Sequence, residues 1–264
     1  FESFPPILLM GIRFIFAASL LIWWFPIPRG YLKKIFFASL IANTLQYSIT
    51  YTGLDYIDAS AAVLLVQTEV PFGVIFAYFM LREKPTIRAL IGIAIAFVGV
   101  YILTGSPNLD GKFFGITLTI IGSAIWALGQ VIVKPLSKQI NPLALVAWLA
   151  LFSGPILIGL SAFIDGSTIK YLSDAKVDHW IIAFYIGFIM QPVTYGCFYY
   201  VLKNNPLYKV LPIVTMGIPP TGLLAAIFLL DEKPTQELFI GGAIIIVGVI
   251  LIVFTKNKTE EVEK

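Results

Sequence analysis

Nine apolar runs punctuate the chain, at residues 6–25, 35–54, 59–81, 87–104, 113–133, 142–163, 180–202, 207–230 and 236–254. Helix needs about 20 apolar residues to cross a bilayer core, and each run is near that length. The runs mix Val and Ile with Leu, Ala and Gly and carry few charges, which predicts helices rather than barrel strands. The polar stretches between them are too short to fold as a soluble domain. The predicted fold class is therefore all-α: a polytopic membrane protein with nine transmembrane helices.

The pattern repeats itself. The stretch Leu81–Leu103 recurs 149 residues later as Leu230–Ile252, with 12 of 23 positions identical. The same offset pairs Pro71 with Pro220, Gly73 with Gly222 and Tyr51 with Tyr200. Spans two, three and four thus answer to spans seven, eight and nine, and span one to span six. Counterparts five spans apart cross the membrane in opposite directions, which predicts an inverted repeat, a common plan of secondary transporters. Span five has no counterpart. The expectation is an inverted five-plus-five repeat with its first helix absent, in two segments, 1–104 and 113–254, followed by a tail at 255–264.

Composition and charge sharpen this picture. Hydrophobic residues make up 58% of the 264 and charged residues 12%, against about 25% charged in a soluble domain. Of 18 Lys and Arg, 13 fall in alternate loops and the tail, 4 in the opposite loops, and Arg13 lies within span one. The positive-inside rule then makes the C-terminus cytoplasmic and puts Phe1 outside, in a bacterial or archaeal inner or plasma membrane. A net charge of +3 spread over short loops argues against nucleic acid as a partner. The lipid bilayer and a small-molecule substrate are the expected partners; monomer and dimer both stay open. Cys197 and His179 are the only cysteine and histidine, so a Cys or His metal cage is excluded. No cofactor is expected, and no metalloprotease, nucleophile-elbow or P-loop motif is present. The chain does not read as an enzyme.

Polar groups at membrane depth are costly and so mark functional candidates. Span three carries Gln67, Thr68 and Glu69, followed by Pro71, which frees the carbonyl of Gln67. Span eight carries Thr215, Gly217, Pro219 and Pro220. Interrupted helices at matching places in two halves point to a transport site, with Pro71 and Pro220 as hinges. Glu69 is read as binding a substrate ammonium or exchanging a proton; the bland reading is a packing contact with a neighbouring helix. Asn43 and Gln46 share a face of span two, Trp126 and Gln130 lie one turn apart in span five, and Gln191, Thr194 and Tyr195 share a face of span seven. As a set they predict a wet cavity able to bind a zwitterion, although any one of them could be interhelical glue. Arg13 is expected to snorkel outward, to pair structurally, or to hold an anion. Glu83 and Glu232 precede helix starts and are read as structural, suiting the positive ends of helix dipoles. Gly92, Ala96 and Gly99, with Gly241, Gly242 and Gly248, form small-residue packing faces. His179 is expected to be an exposed interface residue, and Trp23, Trp24 and Trp180 an aromatic belt.

Taken in order, the stretches Pro5-Pro6 through Arg13-Phe14, Pro71 through Pro85, Ala124 through Lys134, and Tyr195 through Val249 resemble the EamA type of the drug/metabolite transporter superfamily. Where that family usually has Gly-Glu in its two loops, this chain has Arg82-Glu83 and Asp231-Glu232, a departure that concerns loop conformation. Val66–Glu83, Trp126–Lys134 and Tyr195 through Glu232 are most similar to amino-acid exporters of the cysteine and O-acetylserine kind. The resemblance implies export of a small polar metabolite, an amino acid foremost, through a cavity between the halves. Glu69 is not expected from the family, so its ammonium or proton role, and with it proton coupling, is read from the residue itself. Two rivals stand: a multidrug or organic-cation exporter, and a non-transporting scaffold or lipid-modifying enzyme. Polar residues at mid-depth on several spans argue against the latter.

Overall fold

In the computed structural model, residues 4–106, 109–164, 166, 168–215 and 218–253 are described. The expected tail at 255–264, Phe1 and Gly217 lie outside them. Among the described residues all regular structure is helical: α1 (Pro6–Leu21), α2 (Leu32–Ser39), α3 (Gln46–Leu54), α4 (Ala59–Leu65), α5 (Glu69–Leu81), α6 (Ile87–Thr104), α7 (Phe113–Gln139), α8 (Pro142–Ile164), α9 (Thr168–Asp174), α10 (Val177–Phe184), α11 (Gln191–Asn204), α12 (Leu207–Thr215), α13 (Ile218–Leu230) and α14 (Gln236–Val253). π-helical turns at Leu40–Leu45 and Tyr185–Met190 join α2 to α3 and α10 to α11. A 3₁₀ turn at Val66–Thr68 joins α4 to α5.

Six helical stretches are long and apolar enough to cross a membrane: Ala59–Leu81, Ile87–Thr104, Phe113–Gln139, Pro142–Ile164, Val177–Asn204 and Leu207–Leu230. Pro6–Leu21 and Gln236–Ile252 are apolar but shorter. The stretch from Leu32 to Leu54 is helical throughout, but Lys33, Lys34, Asn43, Thr44 and Gln46 dilute its hydropathy. α7 runs six residues past the expected end at 133 and takes Lys134 and Lys138 into the helix. α9 was not expected from the sequence.

The chain forms two compact units, Phe1–Tyr51 with Ile132–Asn204, and Thr52–Val131 with Asn205–Lys264. Each draws helices from both sequence repeats. In the first unit α1 lies antiparallel on α8: a Cβ added to Gly11 would meet Gly154 and Ile158, and one on Gly154 would meet Ile15. Leu8, Phe14, Ala17, Ala150 and Leu157 fill the core there. His179 is half-buried rather than exposed: its Nδ1 accepts the Lys176 amide at 3.2 Å at the start of α10, and its ring meets Phe4 edge-on.

In the second unit the repeated stretches meet each other. Gly92 of α6 faces Gly248 of α14, and Gly99 faces Gly241, so the two helices run antiparallel. Their backbones touch: a Cβ on Gly248 would lie 2.6 Å from the Gly92 carbonyl oxygen. Without a hydrophobic drive between helices in lipid, this close backbone contact is what favours association. Leu64, Val70, Val74, Ile93, Ile245 and Val249 pack around the pair.

Spans three and eight also cross antiparallel, and two carboxylates tie them. Glu232 accepts the Ala59 and Ser60 amides at 2.8 and 3.0 Å, at the start of α4. Glu83 accepts the Leu207 and Tyr208 amides at 3.2 and 3.4 Å, at the start of α12. Each acid therefore caps a helix of the other repeat. Amides in the first turn have no acceptor within the helix, and a carboxylate is favourable at that positive end. The residue before each acid makes the reach possible. Arg82 and Asp231 have φ of 57° and 53°, and the Glu83 and Glu232 amides donate back to Ala77 and Ala226. This left-handed helix stop favours glycine, which explains the glycine of the resembling family at these two positions.

Pro71 is the third residue of α5, and the 3₁₀ turn at Val66–Thr68 lies just before it within the helical stretch Ala59–Leu81. Its ring removes the amide that would bond the Gln67 carbonyl.

Glu83→Ala and Glu232→Ala should each cost about 1–2 kcal/mol, read as a lower midpoint of thermal unfolding in detergent, with Glu→Gln intermediate. An unchanged midpoint in either alanine variant contradicts the capping role.

Candidate functional site

The first unit gathers polar side chains from both repeats. Asn43, in the π turn before α3, donates to Ser153 Oγ of α8 at 3.1 Å, and Ser153 donates to the Leu149 carbonyl at 2.8 Å. Asn43 is thus an interhelical tie. Gln46, the first residue of α3, donates to Thr50 at 3.0 Å, but its Oε1 has no partner among the described residues. Gln191, the first residue of α11, is 3% exposed and its Oε1 is equally unpartnered. The two glutamines directly follow the two π turns and are 145 residues apart, four fewer than the offset of the repeat. π turns inside helices recur at functional sites, and Pro192 after Gln191 removes an amide that a regular helix would use. Thr194, on the same face of α11 as Gln191 and Tyr195, is exposed.

Tyr47 and Tyr195 join α3 to α11 through their hydroxyls, 2.8 Å apart. Tyr51 stacks on Tyr47 with ring centroids 5.8 Å apart. Arg13 of α1 precedes Phe14, which meets the Tyr47 ring edge-on with centroids 5.5 Å apart. Its Nη1 contacts the Met10 sulfur at 3.7 Å, and its Nε has no partner among the described residues. Met10 is itself buried and lies one turn nearer the N-terminal end of α1, while Arg13 is half-buried. Sequence reasoning missed Tyr47. Its partner lies 148 residues away, and its only local sign is the helical spacing to Tyr51.

The second unit holds the other candidates. Gln67 lies in the 3₁₀ turn, 1% exposed, and its Nε2 is unpartnered. Glu69 opens α5 at 5% exposure, and among the described residues nothing pairs with its carboxylate. Gln130 of α7 is 1% exposed with Oε1 unpartnered, and Trp126 one turn before it is half-buried. Thr215 is buried but donates to the Leu211 carbonyl of its own helix at 3.0 Å. Gly73 of α5 packs on Leu211, and the antiparallel register, continued one turn, brings Thr215 level with Glu69. Pro71 is buried beside this turn, whereas Pro220 is exposed. Among the described residues no group of three His, Cys, Asp or Glu could hold a metal.

A helical membrane protein whose helices, drawn from two repeats, carry buried polar groups without protein partners has the makings of a transporter. The comparisons agree. The EamA-like transporter family matches residues 1–105 and again 113–254, and the chain belongs to that family. It is 28% identical over 262 residues to a probable amino-acid metabolite efflux pump of Escherichia coli (strain K12), covering 96% of this chain and 87% of that one. A probable amino-acid metabolite efflux pump of Salmonella typhimurium is 28% identical over 261 residues, covering 95% and 86%. An uncharacterized transporter of Archaeoglobus fulgidus is 25% identical, covering 95% and 88%. A solved crystal structure matches with a TM-score of 0.70 at 13% identity, over 96% of this chain and 90% of that one; it supports the fold alone.

Unpartnered buried amides separate a site from glue. Exchanging such a group for an apolar one of similar shape removes a desolvation cost of about 1–3 kcal/mol. Gln67→Met and Gln191→Leu should therefore leave the thermal midpoint unchanged or raised while transport falls, whereas Asn43→Leu should lower the midpoint. A fall of several degrees in the glutamine variants would make them packing residues.

Proposed function

We propose that the protein is a secondary active exporter of a small polar metabolite, an amino acid foremost. It works by alternating access at a midplane cavity between two inverted repeats. The observation that carries this reading is the set of buried, unpartnered amides at helix interruptions in counterpart spans: Gln46 and Gln191 after the π turns, and Gln67 in the 3₁₀ turn. Such groups are costly in a dry interior and are retained where water or substrate meets them. The antiparallel contacts of α1 with α8 and of α6 with α14, and the reciprocal caps of spans three and eight, support the inverted repeat and nine crossings. The relatives named as amino-acid metabolite efflux pumps support the substrate class. In this reading the C-terminus is cytoplasmic, and Pro71 and Pro220 are where the helices flex.

Glu69 is the proton or ammonium acceptor of this scheme, being an acid in the apolar interior without a cationic partner among the described residues. The same observation favours a second reading, a multidrug or organic-cation exporter, since a lone carboxylate attracts cations.

Proteoliposomes holding the protein should accumulate labelled amino acids when a pH gradient is imposed. Glu69→Gln should abolish gradient-driven accumulation while sparing exchange between labelled and unlabelled substrate. Accumulation of organic cations with no amino acid would decide for the second reading.

A further inference from the structure

Arg13 is the one charged residue of α1, seven residues past its first residue, Pro6. That places it roughly 10 Å along the helix axis at 1.5 Å per residue. A guanidinium offers five N–H donors in a planar fork that fits a carboxylate. Here one nitrogen contacts a thioether sulfur, a weak acceptor, and another has no partner. No carboxylate among the described residues pairs with it. A cation at this depth needs an anion or water.

Its surroundings are built from both repeats. Gly187 of the second π turn lies against it, since a Cβ there would sit 2.9 Å from the Arg13 carbonyl oxygen. Gln191 is one turn further on. Phe14, the next residue of α1 after Arg13, meets the Tyr47 ring edge-on with centroids 5.5 Å apart, and Tyr51 stacks on Tyr47. In the Tyr47–Tyr195 hydrogen bond one hydroxyl donates, and the one that accepts keeps its own proton for a third group. The neighbourhood thus holds a cation and a spare O–H donor; Gln191, a turn beyond Gly187, and Gln46, next to Tyr47 in the chain, each leave an amide oxygen with unused acceptor capacity. Donors for an anion beside acceptors for an ammonium are the complement of a zwitterion.

We infer that Arg13, framed by Tyr47, Tyr51 and Tyr195, seats the carboxylate of the transported molecule, and that the oxygens of Gln46 and Gln191 receive its ammonium, which leaves Glu69 the proton. This rests on the export reading above and narrows it. The substrates are small α-amino carboxylates; their esters and decarboxylated amines are poor substrates; and organic cations are repelled by Arg13.

The test uses the full chain in proteoliposomes, labelled L-serine, L-cysteine and O-acetyl-L-serine as probes, and the corresponding methyl esters and ethanolamine as competitors. The free acids should compete at least tenfold better than the esters or ethanolamine on the unaltered protein. Arg13→Gln should reduce acid uptake about tenfold or more, the scale of a lost charge-assisted hydrogen bond, with Arg13→Lys retaining part. Tyr195→Phe should raise the half-saturating concentration of the acids and leave the acid-to-ester preference standing, since the guanidinium remains. Should Arg13→Gln not fold, the competition on the unaltered protein and Tyr195→Phe decide. Esters competing as well as acids, or Arg13→Gln with full uptake, overturns the carboxylate seat and leaves amino-acid export in place. Uptake of none of the probes, alongside uptake of organic cations, overturns both.

Discussion

Inside a bilayer each polar group must find a partner in the protein or in trapped water, because lipid offers none. Helices meet this demand along their length and fail it at their ends and interruptions. The protein answers at two of those ends with Glu83 and Glu232, whose carboxylates take the first amides of α12 and α4. Both acids are aimed by a residue in the left-handed conformation, Arg82 or Asp231. The same demand makes the remaining exceptions informative. Among the described residues Gln46, Gln67, Gln130 and Gln191 keep amide atoms buried without partners, and Arg13 keeps its Nε unpartnered.

The caps and the packing obey one pairing rule. Spans of the first repeat lie on their counterparts in the second: α1 on α8, the span of α4 and α5 antiparallel on that of α12 and α13, and α6 on α14. Glycines at Gly92, Gly99, Gly241 and Gly248 set how closely the last pair approaches, and they serve cohesion, not binding. Departures from the pairing fall among the polar candidates. Glu69 stands where the 149-residue offset places Ile218, and Arg13 is the one charged residue of α1. A site that matched itself would offer the same group twice; a zwitterion needs different groups at its two ends.

Much of this was legible in the sequence. The apolar runs, the duplication and the polar residues inside spans are local signals. Their burial at Gln67, Glu69, Gln130 and Gln191 follows from a position within an apolar helix. The two loop acids were recognisable as structural, but a dipole argument assigns each to the nearest helix start, and only the crossing of spans three and eight carries them to another. The π turns at 40–45 and 185–190 leave no plain mark. The first has no proline, and the second is hinted at only by Pro192. The 149-residue offset holds for the last helices and slips to 145 at the two glutamines, so repeat arithmetic alone pairs Tyr51 with Tyr200 and misses Gln46 with Gln191. The grouping of Arg13, Tyr47 and Tyr195 joins three distant parts of the chain, and nothing local announces it.

The central claim is that these unpartnered polar groups face a wet path that substrate enters. It is tested most directly by thiol accessibility in membranes. Cys197 is exposed and would be replaced by Ser; Gln191→Cys in that background is then treated with a small, charged, water-soluble thiol reagent. The account predicts labelling of this buried position, slowed by an amino-acid substrate. No labelling, with the protein folded, would contradict it and return Gln191 to the packing of a dry helical bundle.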